Sequence, residues 1–245
     1  MSETLLNSLL FVLWIVWALL LFGGMVIGKP DAERTRRMPR WTRMASSLTL
    51  VIAAWSYTLL HRDSLYADVM TLVAVGMTLG FLGDLFMAKL ILRNDKYIFG
   101  GIGAFGLGHI AYIAAFLTLA GRLGLDASAP RWAALIVLWI IGATFWYLVV
   151  LRGAERASIL HWAALPYALL LATTAGLAGG LALQDGRFAP VALGALLFLT
   201  SDLILAARLF NHAYFRWIDD WVWLTYGPAQ MLIVYGVGIF LSGLG

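Results

Sequence analysis

The chain has 245 residues, of which 62% are hydrophobic and 12% charged, against roughly 45–50% and about 25% in soluble domains. This composition excludes a soluble enzyme. Apolar runs of about 20 residues, separated by short polar joints, define an integral membrane protein built from helices rather than a β-barrel of short alternating strands.

The formal charge of +4 rests on 17 Lys and Arg against 13 Asp and Glu. Those cations are segregated by connector, so they report topology and contact with anionic lipid, and nucleic-acid binding is the wrong inference. The chain has no cysteine, which excludes disulfides, thiolate metal ligands and a cysteine nucleophile.

Eight spans are predicted, at 5–27, 43–60, 67–88, 98–120, 132–151, 158–183, 188–207 and 220–242, each long enough as a helix to cross about 30 Å of hydrocarbon. The expected fold is therefore all-α, a polytopic transmembrane helical bundle forming one transmembrane domain over residues 1–245. Glu3, rather than a basic region, precedes the first span, whose apolar run exceeds that of a signal peptide, so it is expected to be retained as a helix. The next segment, Lys29 to Arg43 with Pro30 and Pro39, reads as a solvated loop or surface helix.

Connectors after the first, third, fifth and seventh spans carry thirteen of the seventeen cations: Lys29, Arg34, Arg36, Arg37, Arg40 and Arg43; Lys89, Arg93 and Lys96; Arg152 and Arg156; Arg208 and Arg216. The other side has Arg62, Arg122, Arg131 and Arg187. The positive-inside rule then puts the odd connectors in the cytoplasm and both termini outside. That arrangement fits a bacterial inner membrane. Arg62, Asp63, Asp126 and Asp185 fall in external turns, and Trp14, Trp17, Trp132, Trp217, Trp221 and Trp223 read as interfacial anchors.

The third span contains Gly83-Asp84 and the seventh Thr200-Ser201-Asp202, both in otherwise apolar surroundings. A charged side chain at membrane depth costs roughly 2.5–3.5 kcal/mol on insertion scales, so it normally faces the protein interior or a wet cavity and marks function. The bland alternative is a hydrogen bond locking two helices. In the fourth span, glycines at 100, 103, 106 and 108 bare one side for close helix packing, and His109 and Tyr112 follow. His109 suits a packed core ring, a proton shuttle or a metal ligand. The remaining histidines, His61, His161 and His212, are scattered, so no metal and no cofactor is expected. Pro166-Tyr167 in span six and Tyr226-Gly227-Pro228-Ala229-Gln230 in span eight mark bends that widen a pocket. Tyr226 and Gln230 stack one turn apart on one face.

Superposing the two aspartates, 118 residues apart, brings Leu85 onto Leu203, Ala88 onto Ala206 and Tyr112 onto Gln230. The match is sparse, and chance similarity between leucine-rich helices competes with it. As a repeat it describes two parallel four-helix halves with both aspartates at one depth near the shared interface. Counting residues along each span puts Asp84, Asp202, His109, Tyr112, Tyr226 and Gln230 within reach of one pocket at the cytoplasmic side.

Two neighbouring carboxyls do not both ionise easily, so the pair shares a proton and offers one acid and one base. Ser201 lies outside any Gly-x-Ser-x-Gly elbow, which speaks against a serine hydrolase. A proton-coupled transporter or a metal-dependent lipid hydrolase would use the same acids.

Gly83-Asp84, Phe105-Gly106-Leu107-Gly108-His109-Ile110-Ala111-Tyr112, Thr200-Ser201-Asp202 and Tyr226-Gly227-Pro228-Ala229-Gln230 together resemble the YhhN family of membrane proteins. The resemblance implies a lysoplasmalogenase, which hydrolyses the vinyl-ether bond of a lysoplasmalogen to a fatty aldehyde and a glycerophosphoethanolamine or glycerophosphocholine. On this reading one of Asp84 and Asp202 acts as acid and the other as base, in either order, and His109 relays protons. Tyr112, Ser201, Tyr226 and Gln230 orient water or the leaving oxygen, while Lys89, Arg93 and Arg208 hold the lipid phosphate. The implied partners are a lysophospholipid substrate and the surrounding membrane lipids. Nothing in the pattern specifies an oligomeric state.

Overall fold

The computed structural model describes residues 3–94 and 96–244. Its order is α1 (Glu3–Ile27), α2 (Arg40–Leu60), α3 (Ala67–Met87), α4 (Tyr97–Leu123), α5 (Ser128–Phe145), α6 (Ile159–Gln184), α7 (Ala189–Asn211) and α8 (Ile218–Ser242). Among the described residues all regular structure is helical, as the hydropathy pattern requires. A π-helical turn at Trp146–Leu151 continues α5, and a 3₁₀ turn at Gly186–Phe188 leads into α7. Local chemistry sets several ends. Ser158 and His161 form a reciprocal capping box at the start of α6, and Gly124, at φ 64°, closes α4 in the left-handed region that glycine adopts without strain.

Seven of the eight helices are long and apolar enough to cross a bilayer, and α2 is the exception. The reason is visible in its faces. Thr42, Arg43, Ser46, Ser47, Thr49 and Ser56 are buried in the bundle, whereas Trp41, Leu48, Ile52, Trp55 and Leu59 are exposed. The helix is polar inward and apolar outward, the reverse of a soluble amphipathic helix, so its average apolarity is low although its outer face suits lipid. Most of its hydroxyls are satisfied by their own backbone: Ser46 donates to Arg43 O at 2.8 Å, Thr49 to Ala45 O at 2.8 Å and Ser56 to Ile52 O at 2.8 Å. Ser47 is different, because its hydroxyl leaves the helix for Asp84.

The helices pack in the order α1–α2–α3–α4 and again α5–α6–α7–α8, and the two runs join through α4 against α6 and through α8 against α2, α3 and α1. Exchanging the two runs exchanges the α4–α6 and α2–α8 joints, whereas the packing of α3 and α1 on α8 is not mirrored to the same extent by α7 and α5 on α4. Tyr112 OH donates to Gln230 Oε1 at 2.6 Å, joining two positions that the 118-residue offset pairs.

The connector between α1 and α2 is not a free solvated loop or a surface helix, and that expectation is corrected. Thr35 and Met38 are buried within it. Asp31 accepts from the Thr35 and Arg36 backbone N–H groups at 2.8 and 3.2 Å, folding the segment on itself. Asp220, also buried, accepts from Arg37 N at 2.8 Å and Met38 N at 3.0 Å, fastening the segment to the start of α8. These bonds hold the first and seventh connectors at one end of the bundle, as the charge pattern requires. At the other end, Ser242 Oγ lies 3.2 Å from His61 Nε2, and Asp185 pairs with Arg187 in the turn before α7.

Candidate active site

A polar cavity of about 200 Å³ lies at the odd-connector end among α2, α3, α7 and α8. Asp84 and Asp202 both line it, with Ser201, Tyr226 and Arg208. Of the six side chains expected at one pocket, Asp84, Asp202 and Tyr226 line this cavity, while His109, Tyr112 and Gln230 do not. Helix α3 delivers Asp84 within its last turn, and α7 delivers Asp202 from just past its midpoint.

Asp84 is buried. Its Oδ2 accepts from Ser47 Oγ at 2.5 Å and from Tyr226 OH at 3.0 Å. Behind Tyr226 the chain of donors is directional: Gln230 Nε2 donates to Tyr226 OH at 3.2 Å, while Gln230 Oε1 accepts from Tyr112 OH. Tyr112 and Gln230 thus reach the cavity only through Tyr226. Three glycines of α3 make room for this cluster. A methyl group added at Gly76 would meet the Tyr112 ring at 2.6 Å, at Gly80 it would meet Gln230 Nε2 at 2.6 Å, and at Gly83 the Phe105 ring at 2.7 Å.

Asp202 is half-buried and accepts a hydrogen bond from Tyr167 OH of α6. In each half, the preceding helix supplies a hydroxyl to the aspartate: α2 through Ser47, α6 through Tyr167. Asp202 also lines a second space, an apolar groove of about 280 Å³ among α4, α5, α6 and α7 with Ile102, Leu138, Phe145, Leu171 and Leu199 on its wall. Met87, Phe105, Asp202, Leu205 and Leu209 belong to both walls. Asp202 therefore stands at the partition between a wet chamber and a greasy one.

His109 lines neither space. It is buried against Phe198, with ring centroids 4.5 Å apart, and Nδ1 lies 3.0 Å from Thr174 Oγ1, while Nε2 has no partner. Lys89 is exposed and covers the Tyr97 ring at 4.5 Å, and Arg93 is exposed in the connector after α3. Neither is in the cavity wall. Arg208 is, paired with Asp219. Ser201 lines the cavity, but its hydroxyl donates to Val222 O at 3.2 Å and ties α7 to α8.

Sequence reasoning missed several wall residues. Arg36 and Arg43 were counted as topology, yet both line the cavity. Trp223 is buried there with the Arg43 guanidinium 5.5 Å above its ring, and Trp17 is buried too, so neither is an interfacial anchor. Among the described residues no three His, Asp or Glu side chains converge as metal ligands, so no ligand set is assigned.

The fold and this chamber define a polytopic α-helical membrane protein with a pair of carboxylates in an intramembrane cavity. The YhhN family model matches residues 38–237, and the chain belongs to that family. No curated protein and no solved structure is matched.

Proposed function

We propose that the chain is a lysoplasmalogenase: a membrane hydrolase that cleaves the vinyl ether of a lysoplasmalogen, releasing a fatty aldehyde and a glycerophosphoethanolamine or glycerophosphocholine. The observation that carries this reading is the place of Asp202, which lines both the polar cavity it shares with Asp84 and the apolar groove beside it. A single-chain lipid has matching parts, an alkenyl tail for the groove and a polar backbone for the chamber. On this reading the chamber faces the cytoplasm from a bacterial inner membrane, which the segregation of the cations supports.

The chemistry needs an acid on the tail side and a base on the water side. Protonated Asp202 gives its proton to the outer alkene carbon, which lies toward the tail, and the positive charge becomes an oxocarbenium ion at the carbon bonded to oxygen. Water adds to that carbon and passes a proton to the Asp84 carboxylate. The hemiacetal then collapses: its hydroxyl proton returns to Asp202, Asp84 protonates the departing glycerol oxygen, and both acids regain their starting states. The cation and the two carboxyls parallel glycoside hydrolysis. Asp84 suits the base role because Ser47 and Tyr226 both donate to it, as to an acceptor carboxylate.

The test is aldehyde release by purified protein from a lysoplasmalogen, beside a 1-acyl lysolipid, for the parent, Asp84→Asn and Asp202→Asn. Release from the vinyl ether alone, lost in both folded variants, supports the reading. A well-folded parent that yields no aldehyde overturns it.

A further inference from the structure

Arg43 sits in the first turn of α2, is 8% exposed, and lines the cavity that holds the two aspartates. Its Nε has no hydrogen-bond partner, and among the described residues it makes no ion pair. Burying a cation without a counterion is strongly unfavourable, and the Trp223 ring beneath the guanidinium compensates only in part. Arg36 of the α1–α2 connector lines the same cavity and likewise makes no ion pair among the described residues. The third arginine on the wall, Arg208, is already matched by Asp219. With one proton shared between Asp84 and Asp202, the wall keeps one positive charge in excess, the complement of one phosphodiester.

Position agrees with charge. Arg43 and Ser47 are one helical turn apart on the same face, about 6 Å along the axis at 1.5 Å per residue. Ser47 holds Asp84. An anion on Arg43 would thus lie one turn nearer the connector than the Ser47 hydroxyl that holds Asp84, and Arg43 lines the polar cavity but not the apolar groove. A glycerophospholipid has this order of parts: tail, ether, glycerol, phosphate.

We infer that Arg43, with Arg36, forms the phosphodiester subsite of the cavity, so that the protein selects single-chain lipids carrying a phosphate over neutral alkylglycerols. The inference rests on the hydrolase reading only for the proton shared by the carboxylates. Lys89 and Arg93 lie outside this subsite, and Arg208, on the same cavity wall, is already engaged by Asp219.

A non-cleavable probe separates this from the reaction. Binding of 1-O-hexadecyl-glycerophosphocholine, of 1-O-hexadecylglycerol and of inorganic phosphate is measured on the full-length protein in detergent. The variants are Arg43→Gln, Arg43→Lys, Arg36→Gln and the exposed control Arg40→Gln, each checked for its thermal transition. The parent should bind the phosphodiester at least tenfold more tightly than the alkylglycerol. Arg43→Gln should abolish most of that difference without weakening the alkylglycerol, Arg36→Gln should reduce it, Arg43→Lys should restore part of it, and Arg40→Gln should leave it alone. An unchanged preference in folded Arg43→Gln and Arg36→Gln, or equal weakening of both lipids, overturns the subsite. Inorganic phosphate binding as tightly as the lipid would overturn the headgroup assignment in favour of a free-anion site. If the parent releases no aldehyde but its phosphodiester preference depends on Arg43, the hydrolase reading fails and the subsite stands. Aldehyde release with the same KM in Arg43→Gln sinks the subsite alone.

Discussion

The hydroxyl of Tyr226 donates to Asp84 Oδ2 at 3.0 Å, and it is aimed there by Gln230, whose amide nitrogen fills the acceptor side of the same hydroxyl at 3.2 Å. Because Gln230 Oε1 accepts from Tyr112 OH, turning the amide over would reverse both bonds and take the Tyr226 hydroxyl proton away from Asp84. The network thus presents a donor, never an acceptor, to the carboxylate. Tyr226→Phe removes a hydrogen bond to a charged group, about 1.5–3 kcal/mol, and should lower kcat/KM for vinyl-ether cleavage by about 10- to 100-fold. Tyr112→Phe acts only through Gln230 and should cost about 3- to 10-fold, the scale of a neutral bond. Equal losses in the two variants would contradict the direction of the chain.

Ser46 and Ser47 are neighbours of the same type with different duties. Ser46 bonds its own helix, whereas Ser47 crosses to Asp84. Ser47→Ala should reduce the rate of aldehyde release by about 10-fold or more, by removing a second donor from a charged acceptor. Ser46→Ala should leave it within about twofold. Comparable rates in the two alanine variants would show that the Ser47 bond does not matter to the reaction.

The contrast between these serines shows what a sequence discloses in a membrane bundle. Asp84 and Asp202 are legible because a carboxylate in an apolar run has no other account, and Tyr226 with Gln230 because a spacing of four fixes a shared helical face. Span positions follow from length and apolarity, so α8 ends at Ser242 as expected. The identity of a hydroxyl's partner depends on which helix lies opposite, and periodicity supplies the face but not the neighbour. Ser47 and the Tyr167 hydroxyl escape for that reason. Arg43 escapes for another: it stands where the positive-inside rule already explains a cation, and only its burial separates it from exposed Arg40. His109 reads as a shuttle by type, but its helix face turns it into the packing between Phe198 and Thr174.

Gly80 and Gly103 test the packing behind the carboxylate. A methyl group at Gly80 would meet Gln230 Nε2 at 2.6 Å, while nothing lies within 4 Å of one at Gly103. Gly80→Ala should displace the Gln230 amide, break its bond to Tyr226 and lower activity by about as much as Tyr226→Phe, roughly 10- to 100-fold. Gly103→Ala should be active, with a thermal transition at or above that of the parent, because alanine is the better helix former by about 1 kcal/mol. Full activity in Gly80→Ala would mean that the amide does not orient Tyr226.

At the far end, His61 follows α2 and is buried, and burial holds its imidazole below the ordinary value of 6.5. The folded state therefore binds a proton less readily than the unfolded state. The preference for neutral imidazole leaves stability whole above about pH 6.5, and stability falls as pH drops from there through the folded value. Thermal transitions recorded between about pH 7.5 and 5 should decline for the parent and decline less steeply for His61→Gln. Parallel profiles would assign the acid sensitivity to other groups.

Asp220 carries the joint between the α1–α2 connector and α8. It is 1% exposed, and its two carboxylate oxygens accept from the backbone of Arg37 and Met38. Asp220→Ala leaves both N–H groups without their acceptor near a buried Met38, at about 1–3 kcal/mol for each unsatisfied group. The expected result is a loss of about 2–4 kcal/mol in stability and increased proteolysis within 29–39. Arg36 rides on this segment and lines the cavity, so the same variant should also weaken binding of the phosphodiester probe while Asp84 keeps its hydrogen bonds. Asp220→Asn retains one acceptor oxygen and should fall between the two. A connector that resists protease as well in Asp220→Ala as in the parent would show that the joint is held elsewhere, through Thr35 and Asp219.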